Sequence, residues 1–376
     1  MVSFSRQSHN ALSKWLWTVD KIILFVSIVL LFLGVILNIT ASPAVARRIN
    51  VDDYWFVRKQ IFYVILSFIT IFSLSMLKLK TIRRLSIAGF AVIFLLLILT
   101  VLFGFETKGA RRWISLFGIS LQASEFMKPI FIVVTAWLLD CGKKYDYFPG
   151  TRIAILLYAL IVCLLLMQPD IGMTLLISAI FWLQIFLAGL PMIWVSILAI
   201  AALIAAPVLY FVFPHFHARI DQFWFGSSET SYQINRAMEA FRNGNLVGKG
   251  PGEGTVKLLI PDAHTDFVFA VAGEEYGVWL CLIIIALFAL IVARTMRSAR
   301  RETNLFVMYS EVGLAASLGL QAFVNMGSSL HLIPTKGMTL PFISYGGSSL
   351  LCSAIEVGMI LALTRQNVAS EDKDMV

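Results

Sequence analysis

Residues 171–218 read IGMTLLISAIFWLQIFLAGLPMIWVSILAIAALIAAPVLYFVFPHFHA, 48 positions without one Asp, Glu, Lys or Arg. As a single α-helix they would reach about 72 Å, more than twice the ~30 Å hydrocarbon of a bilayer. The run must fold back on itself. Gly189-Leu190-Pro191 is the break, because glycine loosens a helix and proline ends one. Two spans result, about 172–188 and 191–213.

The same reading extends in both directions. Charge-free stretches predict further spans near 22–40, 60–77, 85–104, 124–139, 153–168, 266–294, 305–328 and 343–364. The expected fold is an all-α polytopic membrane protein of ten transmembrane helices, with a large extracytoplasmic loop, 214–265, between helices 7 and 8. Composition agrees. The 376 residues are 59% hydrophobic and 14% charged, where a soluble domain is nearer a quarter charged. Soluble enzymes, disordered scaffolds and secreted disulfide modules are excluded. The expected organisation is a cytoplasmic segment 1–20, one membrane domain 21–366 and a cytoplasmic tail 367–376. Ala44-Val45-Ala46 resembles a cleavage site, but the apolar run before it is longer than a signal core of ~7–15 residues, so an uncleaved signal anchor is expected.

Ten spans put both termini on one side. With a cytoplasmic N-terminus, 16 of the 30 basic residues fall in short inside segments, among them Lys78, Lys80, Arg83, Arg84, Lys143 and Lys144. The outer segments are unusually basic as well: Arg111, Arg112, Arg219, Lys257 and Lys336 lie there. Headgroup-level charge and an anionic ligand at the outer surface explain this set equally well. The net charge of +8 suggests lipid-facing loops, not nucleic acid. Cys141, Cys163, Cys281 and Cys352 form no CxxC pair, and no HExxH occurs, so no metal ligand set is expected.

Glu125 and Lys128 share a helix face within the outer leaflet. Such charges either neutralise one another or line a wet cavity, and function is the default for ionisable groups at that depth. Asp266 starts the eighth span. If that helix is continuous, Asp266 stands about 14 Å beyond Glu275, near the headgroups, and reads first as a capping acid. Glu274 and Glu275 read as headgroup-level charges, and Glu275 and Asp170 equally as cavity-lining groups. The glycines 244, 248, 250, 252 and 254 lack P-loop spacing and predict a turning loop.

In chain order, several motifs resemble those of the SEDS family (shape, elongation, division and sporulation proteins). They are Lys108-Gly109-Ala110-Arg111-Arg112-Trp113, Gln122-Ala123-Ser124-Glu125 with Lys128, Gln168-Pro169-Asp170-Ile171-Gly172, Pro261-Asp262-Ala263-His264-Thr265-Asp266, Gly273-Glu274-Glu275, Pro334-Thr335-Lys336-Gly337 and Ser344-Tyr345-Gly346-Gly347. The Pro-Thr-Lys-Gly form resembles the division members more than the elongation members. Ala123, Val256 and Asp262 depart from the usual proline, glutamine and glutamate.

The resemblance implies a peptidoglycan glycosyltransferase of the bacterial inner membrane, facing the periplasm, at the division septum. Its implied substrate is lipid II, a disaccharide-pentapeptide on undecaprenyl pyrophosphate. Its implied partners are a class B penicillin-binding protein (a transpeptidase) and other divisome membrane proteins. Asp266 is expected as general base for an inverting transfer. The implied substrate-binding residues are Lys128 with Glu125, Arg111, Arg112, Lys257, Lys336 and Arg219, joined by His264, Thr265 and Ser344. No cofactor is implied with certainty; a divalent cation, Mg or Mn, is the one candidate. The alternatives are a lipid II flippase, an elongation-type polymerase and an inactive scaffold. A transporter would need polar residues in both leaflets, and the inner halves of the spans read as apolar.

Overall fold

The computed structural model describes residues 11–107, 110–116, 118–191, 229–334 and 337–365, with isolated positions between 193 and 221. Its helices are α1 (Ala11–Thr18), α2 (Lys21–Arg48), α3 (Trp55–Ser75), α4 (Leu79–Phe103), α5 (Ala123–Lys144), α6 (Gly150–Met167), α7 (Ile171–Leu187), α8 (Glu229–Gly244), α9 (Val268–Ala299), α10 (Leu305–Ser329) and α11 (Gly347–Leu363). Among the described residues six helices are long and apolar enough to cross a membrane: α2, α3, α4, α6, α9 and α10. Helices α7 and α11 are shorter apolar helices, and α5 carries charge at both ends. All lie where spans are expected. The span expected over 191–213 and much of the 214–265 loop lie outside the described residues.

Helix α10 is the hub. It packs on α5, α7, α9 and α11 and is mostly buried, whereas α4 at the edge is mostly exposed. Outward-facing side chains are large and apolar, such as Phe62 and Phe103, as a lipid-facing surface requires. Hydrocarbon gives no hydrophobic drive between helices, so close packing and polar bonds hold them. Gln184 of α7 does this at the centre, donating to Ile132 O of α5 at 3.0 Å and Tyr309 O of α10 at 3.1 Å. Gly313 makes room, because a Cβ there would lie 2.5 Å from Ile132 and 2.8 Å from Gln184.

The structure departs from the all-α expectation between α4 and α5. Three short antiparallel strands, β1 (Phe105–Thr107), β2 (Ala110–Leu116) and β3 (Ile119–Leu121), form a sheet in that order. Ala110 and Ile114 turn inward while Arg111 and Ser115 face out. Outside a helix the backbone still needs hydrogen-bond partners, and a hairpin supplies them locally.

A second departure concerns the eighth span. Helix α9 begins at Val268, not at Asp266, and is broken at Gly277 (φ 73°, ψ −171°). A Cβ at Gly277 would lie 2.4 Å from Leu246 O and 2.6 Å from Gly248 N, so the glycine-rich loop presses into the kink. Lys249 N donates to Glu274 O and Gly250 N to Glu275 O, each at 3.0 Å. The straight-helix placement of Asp266 above Glu275 is therefore corrected. Glu274 and Glu275 are also not headgroup-level charges: both are buried in protein. Glu274 accepts from the amides of Thr255 (2.9 Å), Val256 (2.8 Å) and Lys257 (3.0 Å), holding the 3₁₀ turn Val256–Leu259.

Candidate active site

One end of the bundle gathers the start of α9, the end of α10 and the 337–346 connection into α11. Three consecutive carbonyls of the His264-Thr265-Asp266 turn are each held from this side. Tyr345 N donates to His264 O at 2.8 Å, Ser344 Oγ donates to Thr265 O, and Asn325 Nδ2 donates to Asp266 O at 3.0 Å. Ser344 Oγ also accepts from Leu340 N at 2.8 Å, and Asn325 Nδ2 reaches Met338 O at 2.6 Å. The 337–346 segment is anchored behind by α2: Asn38 Nδ2 donates to Ile343 O at 2.9 Å, and Gly34 lets the chain pass close.

Asp266 sits half-buried at the end of this clamp. It is not the helix cap, which is Phe267 with no side-chain bond. Its Oδ2 is 3.5 Å from where a Cβ on Gly337 would stand, and Gly337 adopts φ +61°, open to glycine. Thr265 is half-buried, its Oγ1 3.3 Å from Asp262 O. Ser344, by contrast, is buried and saturated within the clamp.

His264 is 5% exposed, its ring 4.5 Å from Phe56 and 5.3 Å from Tyr345. Burial favours the neutral imidazole and lowers its pKa from 6.5 to about 4. Between those values the unfolded chain binds a proton that the folded chain rejects. Stability is full above about pH 6.5 and falls as the pH drops toward 4, by up to ~3 kcal/mol. Melting curves from pH 7 to pH 4.5 should show this loss, and His264→Phe should flatten it; an equal slope in both proteins would contradict it.

The six expected cations separate. Lys128 has no exposed side-chain surface; its Nζ pairs with Glu125 Oε2 at 2.7 Å and donates to Gln321 Oε1. This is the mutually neutralising geometry. Glu356, buried beside them, accepts from Ser317 Oγ at 2.7 Å. Lys257 is buried, pairs with Glu275 and donates to Gly252 O at 3.1 Å. Arg112 donates to Pro169 O at 2.8 Å and stands 3.6 Å from Asp170, which caps α7. Arg111 stays out in solvent, 57% exposed and only 3.8 Å from an equally exposed Glu106. Arg219 and Lys336 lie outside the described residues. Among the described residues no group of three His, Cys, Asp or Glu side chains gathers to hold a metal.

Gln321 and Asn325 had no place in the sequence reading. They are one turn apart on α10, and Gln321 Nε2 donates to Thr339 O at 3.1 Å. Two amides four residues apart in a membrane span were the available signal. Glu311 and Glu356, also missed, are buried inside their helices, so the expectation of uniformly apolar inner halves is corrected.

The comparisons with known proteins agree with one another. The statistical model of a family described as "Cell cycle protein", covering FtsW, RodA and SpoVE, matches residues 20–369. The probable peptidoglycan glycosyltransferase FtsW of Caulobacter vibrioides is 42% identical over 97% of this chain and 94% of its own. The protein of that name from Methylococcus capsulatus is 32% identical over 97% and 95%. Among solved structures, one described as structural coordination of polymerization and crosslinking by a peptidoglycan synthase complex superposes with a TM-score of 0.77. It is 27% identical and covers 92% of this chain and 97% of that one. The rod-shape-determining protein RodA of Thermus thermophilus gives 0.67 at 26% identity, over 92% and 96%. With apolar helices on one bundle, a matched family profile and whole-length relatives, this chain is a multi-pass membrane protein that belongs to the FtsW/RodA/SpoVE family, the SEDS proteins.

Proposed function

We propose that this chain is a division-type peptidoglycan glycosyltransferase that polymerises lipid II, with Asp266 as general base. The observation that carries the reading is the carbonyl clamp, which fixes a half-buried carboxylate at one end of the bundle. A rigid backbone holding an acid without using it as a cap is what base catalysis needs.

Asp266 takes the proton from the 4-hydroxyl of the acceptor N-acetylglucosamine. That oxygen attacks the anomeric carbon of the donor N-acetylmuramic acid, undecaprenyl pyrophosphate leaves, and an α-linkage becomes β-1,4. The leaving group is already acidic, so it needs positive charge more than a proton, and a second catalytic carboxylate is unnecessary. Arg111 meets that charge, being exposed, together with Lys336, next in sequence to Gly337, on which a Cβ would stand 3.5 Å from Asp266 Oδ2, and Arg219. Lys128, Arg112 and Lys257, which are paired, shape the wall. All these steps use the chain's own residues.

The clamped end faces the periplasm, both termini are cytoplasmic, and the membrane is the bacterial inner membrane at the septum. A class B penicillin-binding protein cross-links the product, with other divisome proteins assembled around the pair. One assay tests this: purified chain, lipid II and transpeptidase, scored for polymer and for transbilayer movement. Polymer supports the reading; movement without polymer supports a flippase and defeats it.

Asn325 is a positioning residue. Asn325→Ala leaves Asp266 O and Met338 O without their donor, at about 1–3 kcal/mol. The turnover rate should fall roughly tenfold or more as the base drifts, with the KM for lipid II little changed. An unchanged turnover rate in a folded variant would remove Asn325 from the mechanism.

A further inference from the structure

Helix α8 ends at Gly244, and the chain turns back at once through Asn245-Leu246-Val247-Gly248. Asn245 (φ 48°) and Gly248 (φ 89°) both take the left-handed backbone of a tight turn. The turn is pinned to the kink of α9 from both sides: Val278 N donates to Asn245 O at 3.1 Å, and Lys249 N donates to Glu274 O at 3.0 Å. Its two tip side chains nevertheless stand out, Leu246 63% and Val247 79% exposed. Apolar side chains held outward on a rigid turn mark a contact surface.

Depth along α9 identifies what they contact. From Val278 the helix runs 16 residues to Arg294, whose bond to Asp20 at 2.8 Å ties it to the cap of α2 and marks the far end of the span. That length is about 24 Å, less than the ~30 Å of a bilayer's hydrocarbon. The turn bonded to Val278 is therefore level with the outer edge of the acyl chains. Trp279, Leu282 and Ile283 follow on one face of α9 and are exposed, as lipid-facing residues are. The flanking charges fit the same level. No charged residue stands between Arg242 and Lys249, and both are exposed, as cations reaching lipid phosphates are. Backbone outside a helix survives at such a depth only when its polar groups are bonded. Besides its two bonds to α9, this turn closes on itself, Gly248 N donating to Gly244 O at 2.7 Å.

We propose that Leu246 and Val247 insert among the outer-leaflet acyl chains, with Arg242 and Lys249 at the phosphates, and so anchor the α9 kink at a fixed depth. The proposal rests on the orientation and the general base proposed above. The half of α9 before the kink, from Val268 to Gly277, is about 14 Å long and starts two residues after Asp266. Anchoring the kink sets the height of that carboxylate over the membrane surface, where a lipid-borne saccharide is presented.

The test puts the photoreactive residue p-benzoylphenylalanine at position 247 of the full chain, in nanodiscs of phosphatidylcholine and phosphatidylglycerol with the transpeptidase present. Illumination should add the mass of one lipid at position 247, as at Leu282 on the spanning half of α9, and none at Glu253, exposed in the same loop. No lipid adduct at 247, equal lipid capture at 253, or an adduct to the transpeptidase overturns the proposal. Leu246→Asp/Val247→Asp should stay folded and monodisperse, because both side chains are exposed. It should nonetheless polymerise disc-borne lipid II roughly tenfold or more slowly, while Leu246→Ile/Val247→Ile keeps wild-type turnover. Wild-type turnover in the aspartate variant overturns the anchor's role in setting depth. The cross-links are read without turnover. A wild type that makes no polymer therefore defeats the proposed function, and the cross-links still decide the anchor.

Discussion

Asp266→Asn lowers glycan-strand formation by about 10²–10⁴-fold, the usual contribution of a positioned general base. The expected result is specific because the amide has the shape of the carboxylate. The bonds that hold this turn go to backbone carbonyls of residues 264, 265 and 266, which the substitution leaves in place. Melting temperature and monodispersity should therefore match the wild type while polymer disappears. Wild-type strand yield from the purified variant with its transpeptidase would refute the base assignment, whatever the family relationship. A carboxylate sealed from solvent would also have refuted it, and Asp266 is half-buried.

Lys128→Met carries the second large effect, and it falls on stability. The substitution strips the buried Glu125 carboxylate of its partner at 2.7 Å and leaves Glu356 nearby, with one carboxylate oxygen already lacking a bond. Breaking a buried ion pair from one side costs about 3–5 kcal/mol, while replacing both members by neutral side chains is often nearly harmless. Lys128→Met should thus melt far below the wild type, and Glu125→Gln/Lys128→Met should recover most of the loss. If Lys128→Met instead melts normally and only polymer is lost, the lysine meets the substrate directly and the pair is not what holds these helices.

The spans were legible because hydrophobic length is a local property. Ile171–Leu187 stops where Gly189 and Pro191 predict a break, and α2, α4 and α6 follow their charge-free runs. The motif order was legible for the same reason, since each motif is a few adjacent residues. The sheet over 105–121 was not, because strands of 3, 7 and 3 residues are too short to set a pattern against their flanking helices. The kink at Gly277 was hidden as well: one glycine in an apolar run is ordinary until the loop pressing on it is known.

The chain alone determined a polytopic membrane protein of this family, and its motifs marked Asp266, by resemblance, as the general base. Which charges remain available was decided only by the tertiary structure. Lys128 reaches Gln321 across 193 positions, Asp266 is held by Asn325 across 59, and Lys257 finds Glu275 across 18. A charge in low-dielectric surroundings takes whichever partner folding brings within about 4 Å, and distance along the sequence says nothing about that.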